Sequence, residues 1–168
     1  MILCDRQIRK LCQQEQMIVP FDEEMLNPAS LDIRCGSHIQ LLVESGFKSF
    51  DISRYTTDNP YWLQPGDRVL VSSLEIFNMP RNVCGEFKLK SSRGREFYQH
   101  LLAGFIDPEF HDSHLTMELI NQSLNRLKLY PGFRIGQIIF YQLSEIPDVS
   151  YRKKGRYNGD KKATQSKG

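Results

Sequence analysis

Turn residues interrupt this chain so often that it has room for many short strands and for little long helix. Leu63-Gln64-Pro65-Gly66-Asp67-Arg68-Val69-Leu70-Val71 sets Pro-Gly, which suits the centre of a type II turn, directly before a β-branched run. Leu129-Tyr130-Pro131-Gly132-Phe133-Arg134-Ile135 shows the same pattern and predicts a second, similar corner. One shared turn is too little to define a repeat. Asn27-Pro28-Ala29-Ser30 turns the chain into Leu31-Asp32-Ile33-Arg34, whose alternation puts Asp32 and Arg34 on the face opposite Leu31 and Ile33. An ion pair or surface polarity accounts for those two. Further strands are predicted at 38–43, 84–89, 101–106, 114–120, 124–130 and 135–143, while 47–59 reads as an irregular loop with a short extended piece. The one helix expected is short and amphipathic, from Asp5 as N-cap to about Gln16, with Ile8, Leu11 and Cys12 on one face. Many short strands and a single helix predict a mainly β fold, a barrel or jelly roll.

A length of 168 residues suits one domain with a real core. No apolar run approaches the roughly 20 residues of a membrane span, and the start, Met-Ile-Leu-Cys-Asp-Arg, lacks a signal-peptide pattern. The expectation is a cytoplasmic protein with no membrane partner. Cys4, Cys12, Cys35 and Cys84 are far apart and form no C-x-x-C, which predicts four free thiols in a reducing compartment. Charge is unevenly spread. Residues 149–168 carry seven Lys/Arg against one acid, Asp160, a net of +6, which leaves about −4 for residues 1–148. A basic tail can bind nucleic acid or be a solvated end. The glycines in Gly155-Arg156-Tyr157-Asn158-Gly159-Asp160 favour a third reading, a flexible flap that closes on a small polyanion, with no nucleic-acid role. The organisation expected is a β domain over 1–148 and a flap over 149–168.

The chemistry gathers between Lys90 and Asn121. Lys90-Ser91-Ser92-Arg93-Gly94-Arg95 offers two hydroxyls and three cations, and Glu118 is an isolated carboxylate among Leu115, Met117, Leu119 and Ile120. Such a set can hold a phosphate and move a proton. A solvated turn and an outward-facing strand residue would give the same letters. There is no H-x-E with P-C-x-x-C for zinc, and no G-x-x-x-x-G-K-[ST] for a P-loop. His111-x-x-His114 lacks an evident third ligand and reads as surface polarity.

The order KSSRGR, AGFIDPEF, LTMEL and YPGFRIGQIIF, after MILCDRQIRKL and NPASLDIRCG, resembles the dCTP deaminase family, which shares its fold with the trimeric dUTPases. The resemblance runs from the N-terminus to GRYNGDKKATQS. It implies a distorted β-barrel of the dUTPase type, a homotrimer with active sites between subunits, and zinc-independent hydrolysis of dCTP to dUTP and ammonia. Magnesium would accompany the triphosphate. Glu118 would be the general base and acid, Ser91 and the Ala103 carbonyl would orient water, and Arg95 would steady developing charge. Asp107 would accept from the 3′-hydroxyl and Phe110 would pack on the deoxyribose. Lys90, Ser92, Arg93 and Gly94 would cradle phosphates. Thr116 and Met117 would line the base through their backbone, with Gln137 near the nucleotide and Tyr151, Arg156 and Tyr157 in the flap. The chain departs from the pattern at Lys90 (arginine is usual), Arg93 (small and apolar), Arg156 (lysine) and Asp160 (neutral glutamine). An acid at Asp160 would repel phosphate unless it turns away, pairs with Lys161 or Lys162, or meets magnesium. AGFIDPEF also resembles bifunctional enzymes that go on to dUMP and pyrophosphate. A catalytically silent nucleotide-binding regulator is the third reading.

Overall fold

The computed structural model describes all 168 residues. In chain order the elements are α1 (Asp5–Glu15), β1 (Ile18–Val19), β2 (Leu26–Asn27), β3 (Ser30–Val43), β4 (Gly46–Asp51), β5 (Tyr61–Leu63), β6 (Arg68–Asn78) and β7 (Val83–Leu89). Then follow α2 (Ser91–Arg95), β8 (Tyr98–His100), β9 (Phe105–Ile106), β10 (His111–Asn121), β11 (Leu127–Leu129), β12 (Arg134–Gln142) and α3 (Tyr151–Lys154). The main sheet runs β8-β10-β6-β3-β12-β7-β9, with β1 on β6 and β2 and β4 on β3. β11 and β5 form a separate pair. Every pairing is antiparallel, and the sheet curls into a half-barrel of the mainly β kind the turn pattern predicts.

β3 is the hinge of this architecture. Its first half pairs with β12 (Ile33↔Gly136, Asp32↔Gln137), and its second half with β6 and β4, across an irregularity between Cys35 and Ile39. The sequence reading splits this strand in two, because the bulge breaks the alternation without ending the pairing. Ile33, Ile39, Phe77, Ile135, Ile138 and Phe140 lie fully buried between the halves, and α1 adds Ile8 and Cys12. Side chains of this size stabilise by about 1.5–3 kcal/mol each when buried.

Both Pro-Gly corners form as expected. Gly66 (φ 84) and Gly132 (φ 87) take the positive φ of a type II turn, closed by Asp67 N–H to Gln64 C=O and Phe133 N–H to Tyr130 C=O. Other expectations need correction. The N-cap of α1 is Cys4, whose N–H donates to Gln7 Oε1, so Asp5 lies one step inside the helix. Residues 46–51 form an edge strand, since β4 hydrogen-bonds along β3. The strand expected at 101–106 shrinks to β9, and β8 appears before it. Phe97 (φ 66) and Leu102 (φ 61) are left-handed and cut the run. KSSRGR ends in a helical turn, α2, and the tail contains another, α3. Asp32 and Arg34 are paired ions held at low exposure: Lys90 Nζ lies 2.5 Å from Asp32, and Arg34 bonds Glu75 at 2.7 Å and Asp22 at 3.1 Å. All four cysteines are free thiols, and no helix is long and apolar enough to cross a membrane.

Candidate active site

β10 supplies the floor of a cavity of about 670 Å³, a size suited to a small ligand. Strand alternation turns Glu118 away from the core, while its neighbours Met117 and Leu119 are 1% exposed. Glu118 pairs in register with Leu70 on β6, which also lines the cavity. The opposite wall is the segment from Ala103 to Asp107. It can lie there because Gly104 has no side chain: a Cβ would sit 2.7 Å from the Phe87 carbonyl oxygen, and Gly104 C=O accepts from Phe87 N–H at 2.8 Å. Phe110 and Tyr151 close one end with rings 6.1 Å apart, edge to face.

Burial raises the Glu118 carboxyl above its ordinary value, opposed only by a backbone hydrogen bond, and raises Asp107 in the same way. Two acids are thereby biased towards holding a proton, as a group that shuttles protons near neutral pH requires. The tail covers the remaining side. Gly159 N–H donates to Ser113 Oγ at 2.7 Å, His114 N–H to Asp160 C=O at 2.8 Å, and Thr164 N–H to Thr116 Oγ1 at 3.1 Å. Asp160 lines the cavity and is neutralised by Lys167 at 2.6 Å, with Thr164 Oγ1 donating to it at 3.0 Å. Its cation is therefore neither of the two lysines the sequence suggests.

The structure brings Glu118, Ala103, Asp107, Phe110, Thr116, Tyr151, Tyr157 and Asp160 to one cavity. It does not bring the basic loop there. Ser91, Ser92, Gly94 and Arg95 are exposed on α2 outside the lining, and Arg156 is exposed on the tail. Lys90 is spent on Asp32, and Arg93 lies over the Phe133 ring at 4.7 Å and pairs with Glu96 at 2.9 Å. Gln137 accepts from Ser30 Oγ at 2.7 Å, away from the cavity, and the Met117 side chain is in the core. No lysine or arginine lines the cavity, and the one cation beside a lining carboxylate, Lys167, is taken up by Asp160, so one chain leaves no cation free for a phosphate there.

Several lining residues are not among those the sequence singles out for the site, among them His114, Leu70, Phe47 and Thr164. His114 was legible in principle, since it lies on the same strand as Thr116 and Glu118, four residues from the acid. No three His, Cys, Asp or Glu side chains come together as a metal-binding group.

Two solved structures share this fold. A 2′-deoxycytidine 5′-triphosphate deaminase from Agrobacterium tumefaciens superposes with a TM-score of 0.68 at 22% identity over 83% of this chain. This chain covers 47% of that protein, about half its length. A dUTPase from Streptococcus mutans superposes with a TM-score of 0.52 at 17% identity, over 76% of this chain and 92% of that one. The fold is thus the dUTPase-like β fold, with an acid-lined cavity on one face of the sheet. Within that class the sequence is more specific. The family model described as dCTP deaminase-like matches residues 2–143. A "dCTP deaminase, dUMP-forming" from Thermobifida fusca is 34% identical over 182 residues, 99% of this chain and 92% of that protein. The chain belongs to the dCTP deaminase-like family of enzymes.

Proposed function

We propose that this enzyme converts dCTP to dUMP in two hydrolytic steps. In the first, water adds to C4 of the cytosine and the amino group leaves as ammonia, giving dUTP. In the second, water attacks the phosphate chain and pyrophosphate leaves, giving dUMP. The sequence reading puts dUTP first as the product and dUMP second. The name of the Thermobifida fusca relative supports the second.

The observation that carries the reading is Glu118, a half-buried carboxylate in the cavity whose proton affinity is raised by burial. Such a group takes the proton of the attacking water, delivers it to the ring nitrogen, and lends the proton that leaves with ammonia. Asp107, also biased towards its protonated form, lies by the aromatic end formed by Phe110, where a deoxyribose would pack. The Ala103 backbone and Thr116 complete the polar lining around the base.

Two lining carboxylates without a cation, and a third already paired with Lys167, cannot hold a triphosphate by themselves. The Ser91 to Arg95 turn of a second copy would supply the missing charge and hydroxyls. This supports sites shared between subunits, in keeping with the homotrimer that the resemblance implies. Magnesium enters as part of the substrate, since a nucleoside triphosphate commonly carries this oxygen-seeking ion. The segment 149–168 then serves as the flap, and a cytoplasmic location fits a nucleotide substrate.

The test is Glu118→Gln. Ammonia release from magnesium-dCTP should fall at least about 100-fold while dCTP still binds. Near-normal release would overturn the assignment.

A further inference from the structure

Gln40 is a buried polar side chain on β3 that no step of the proposed reaction uses, 7% exposed. Both ends of its amide are engaged by the C-terminal segment. Nε2 donates to the Ala163 carbonyl at 2.5 Å, and Oε1 accepts from Gln165 Nε2 at 2.7 Å. Ala163 itself is 1% exposed, the most deeply buried residue of the tail. In register, Gln40 pairs with Leu70, and Leu70 pairs with Glu118. Gln40 therefore stands two strands from the acid in the same row, about 10 Å away at the usual strand spacing.

The tail crosses that row. Gln40 on β3 holds Ala163 and Gln165, Thr116 on β10 holds the N–H of Thr164 between them, and Thr164, Gln165 and Ser166 form part of the cavity wall. A wall made of tail is only as well placed as its anchors. The Thr116 hydroxyl offers one acceptor, whereas Gln40 reads a backbone carbonyl and a side chain together.

We propose that Gln40 is a positioning residue of the active site: it seats Ala163 and Gln165 on the sheet so that Thr164 to Ser166 close the cavity beside Leu70 and Glu118. It touches no reacting atom. The role rests on the functional reading above, and it deepens that reading by fixing where the flap docks.

The test uses the full-length protein with Gln40→Leu, which keeps the bulk and removes both hydrogen bonds, and with Gln165→Ala on the exposed tail. For Gln40→Leu, KM for magnesium-dCTP should rise about tenfold with kcat within about twofold, since two ordinary hydrogen bonds of the closed tail are lost. Tryptic cleavage at Lys161 and Lys162 should quicken about tenfold, with the barrel left uncut. Gln165→Ala should move both readouts the same way by less, and should add little on top of Gln40→Leu. Should Gln40→Leu fail to fold, Gln165→Ala carries the test alone. Unchanged KM and unchanged tail cleavage in the folded variants would overturn the proposal. A wild-type protein that releases no ammonia from dCTP would defeat the functional reading instead, and the cleavage rates would still decide whether Gln40 anchors the tail.

Discussion

Replacing Lys90 with methionine removes the ammonium that sits 2.5 Å from the Asp32 carboxylate. Asp32 is 3% exposed, and its one other side-chain donor is Asn27 Nδ2 at 2.9 Å. The variant therefore strands a buried carboxylate with a single neutral partner. Breaking a buried pair in this way costs about 3–5 kcal/mol. The Lys90 side chain is 27% exposed, so water reaches one side of the pair, and the lower end, about 3 kcal/mol, is the appropriate figure. For a chain of this length that corresponds to a fall in Tm of about 6–12 °C. The double variant Lys90→Met/Asp32→Asn removes both charges and should recover to within about 1 kcal/mol of wild type. Urea unfolding of the four proteins at one fixed concentration gives the cycle, with concentration held constant because subunit assembly would shift apparent stability. A surface lysine kept free for phosphate would behave differently: its loss would cost within about 0.5 kcal/mol and weaken dCTP binding. A Lys90→Met protein as stable as wild type would refute the pairing argument and return Lys90 to the phosphate site.

Two further outcomes follow from the site. Burial raises the Glu118 carboxyl in the folded state, so the stability gained from its protonation is complete below the ordinary glutamate range and is lost as pH rises through the raised value. Glu118→Gln should therefore gain stability over wild type as pH rises from about 4 to 8, measured by urea unfolding across that range; a difference that stays flat with pH would contradict the burial of this carboxylate. Gly104→Ala should lower both ammonia release and stability, by about 1–3 kcal/mol, because its Cβ would meet the Phe87 backbone oxygen at 2.7 Å. Wild-type rate and Tm in that variant would show that the Ala103 wall does not depend on the close approach.

The parts of the fold written in local chemistry were readable from the sequence. Pro65-Gly66 and Pro131-Gly132 state their turn geometry outright, and both corners form. β4 is legible only as a short extended piece without bounds, because Phe47-Lys48-Ser49-Phe50-Asp51 lies on an edge, largely exposed, without the alternation that burial imposes. The run at 97–106 misled because Phe97 and Leu102 adopt left-handed backbone, which apolar residues do not advertise. The site divides along the same line. Glu118 stands out as a lone acid in an apolar strand, and the fold turns it into the cavity. The partners of Lys90 and Gln40 lie 58 and 123 residues away in sequence, and only the folded chain reveals them. The basic turn after Lys90 faces outward on its own chain, so the role proposed for it depends on a second copy, which spacing along one chain does not encode.

The most direct test of the account is a time course of the wild-type protein with magnesium-dCTP, in which ammonia, dUTP, dUMP and pyrophosphate are all measured. The account predicts ammonia and pyrophosphate rising together in equal amounts, matched by dUMP, with little free dUTP. Ammonia with accumulating dUTP and no pyrophosphate would contradict the second hydrolytic step, and no ammonia at all would contradict the role given to Glu118.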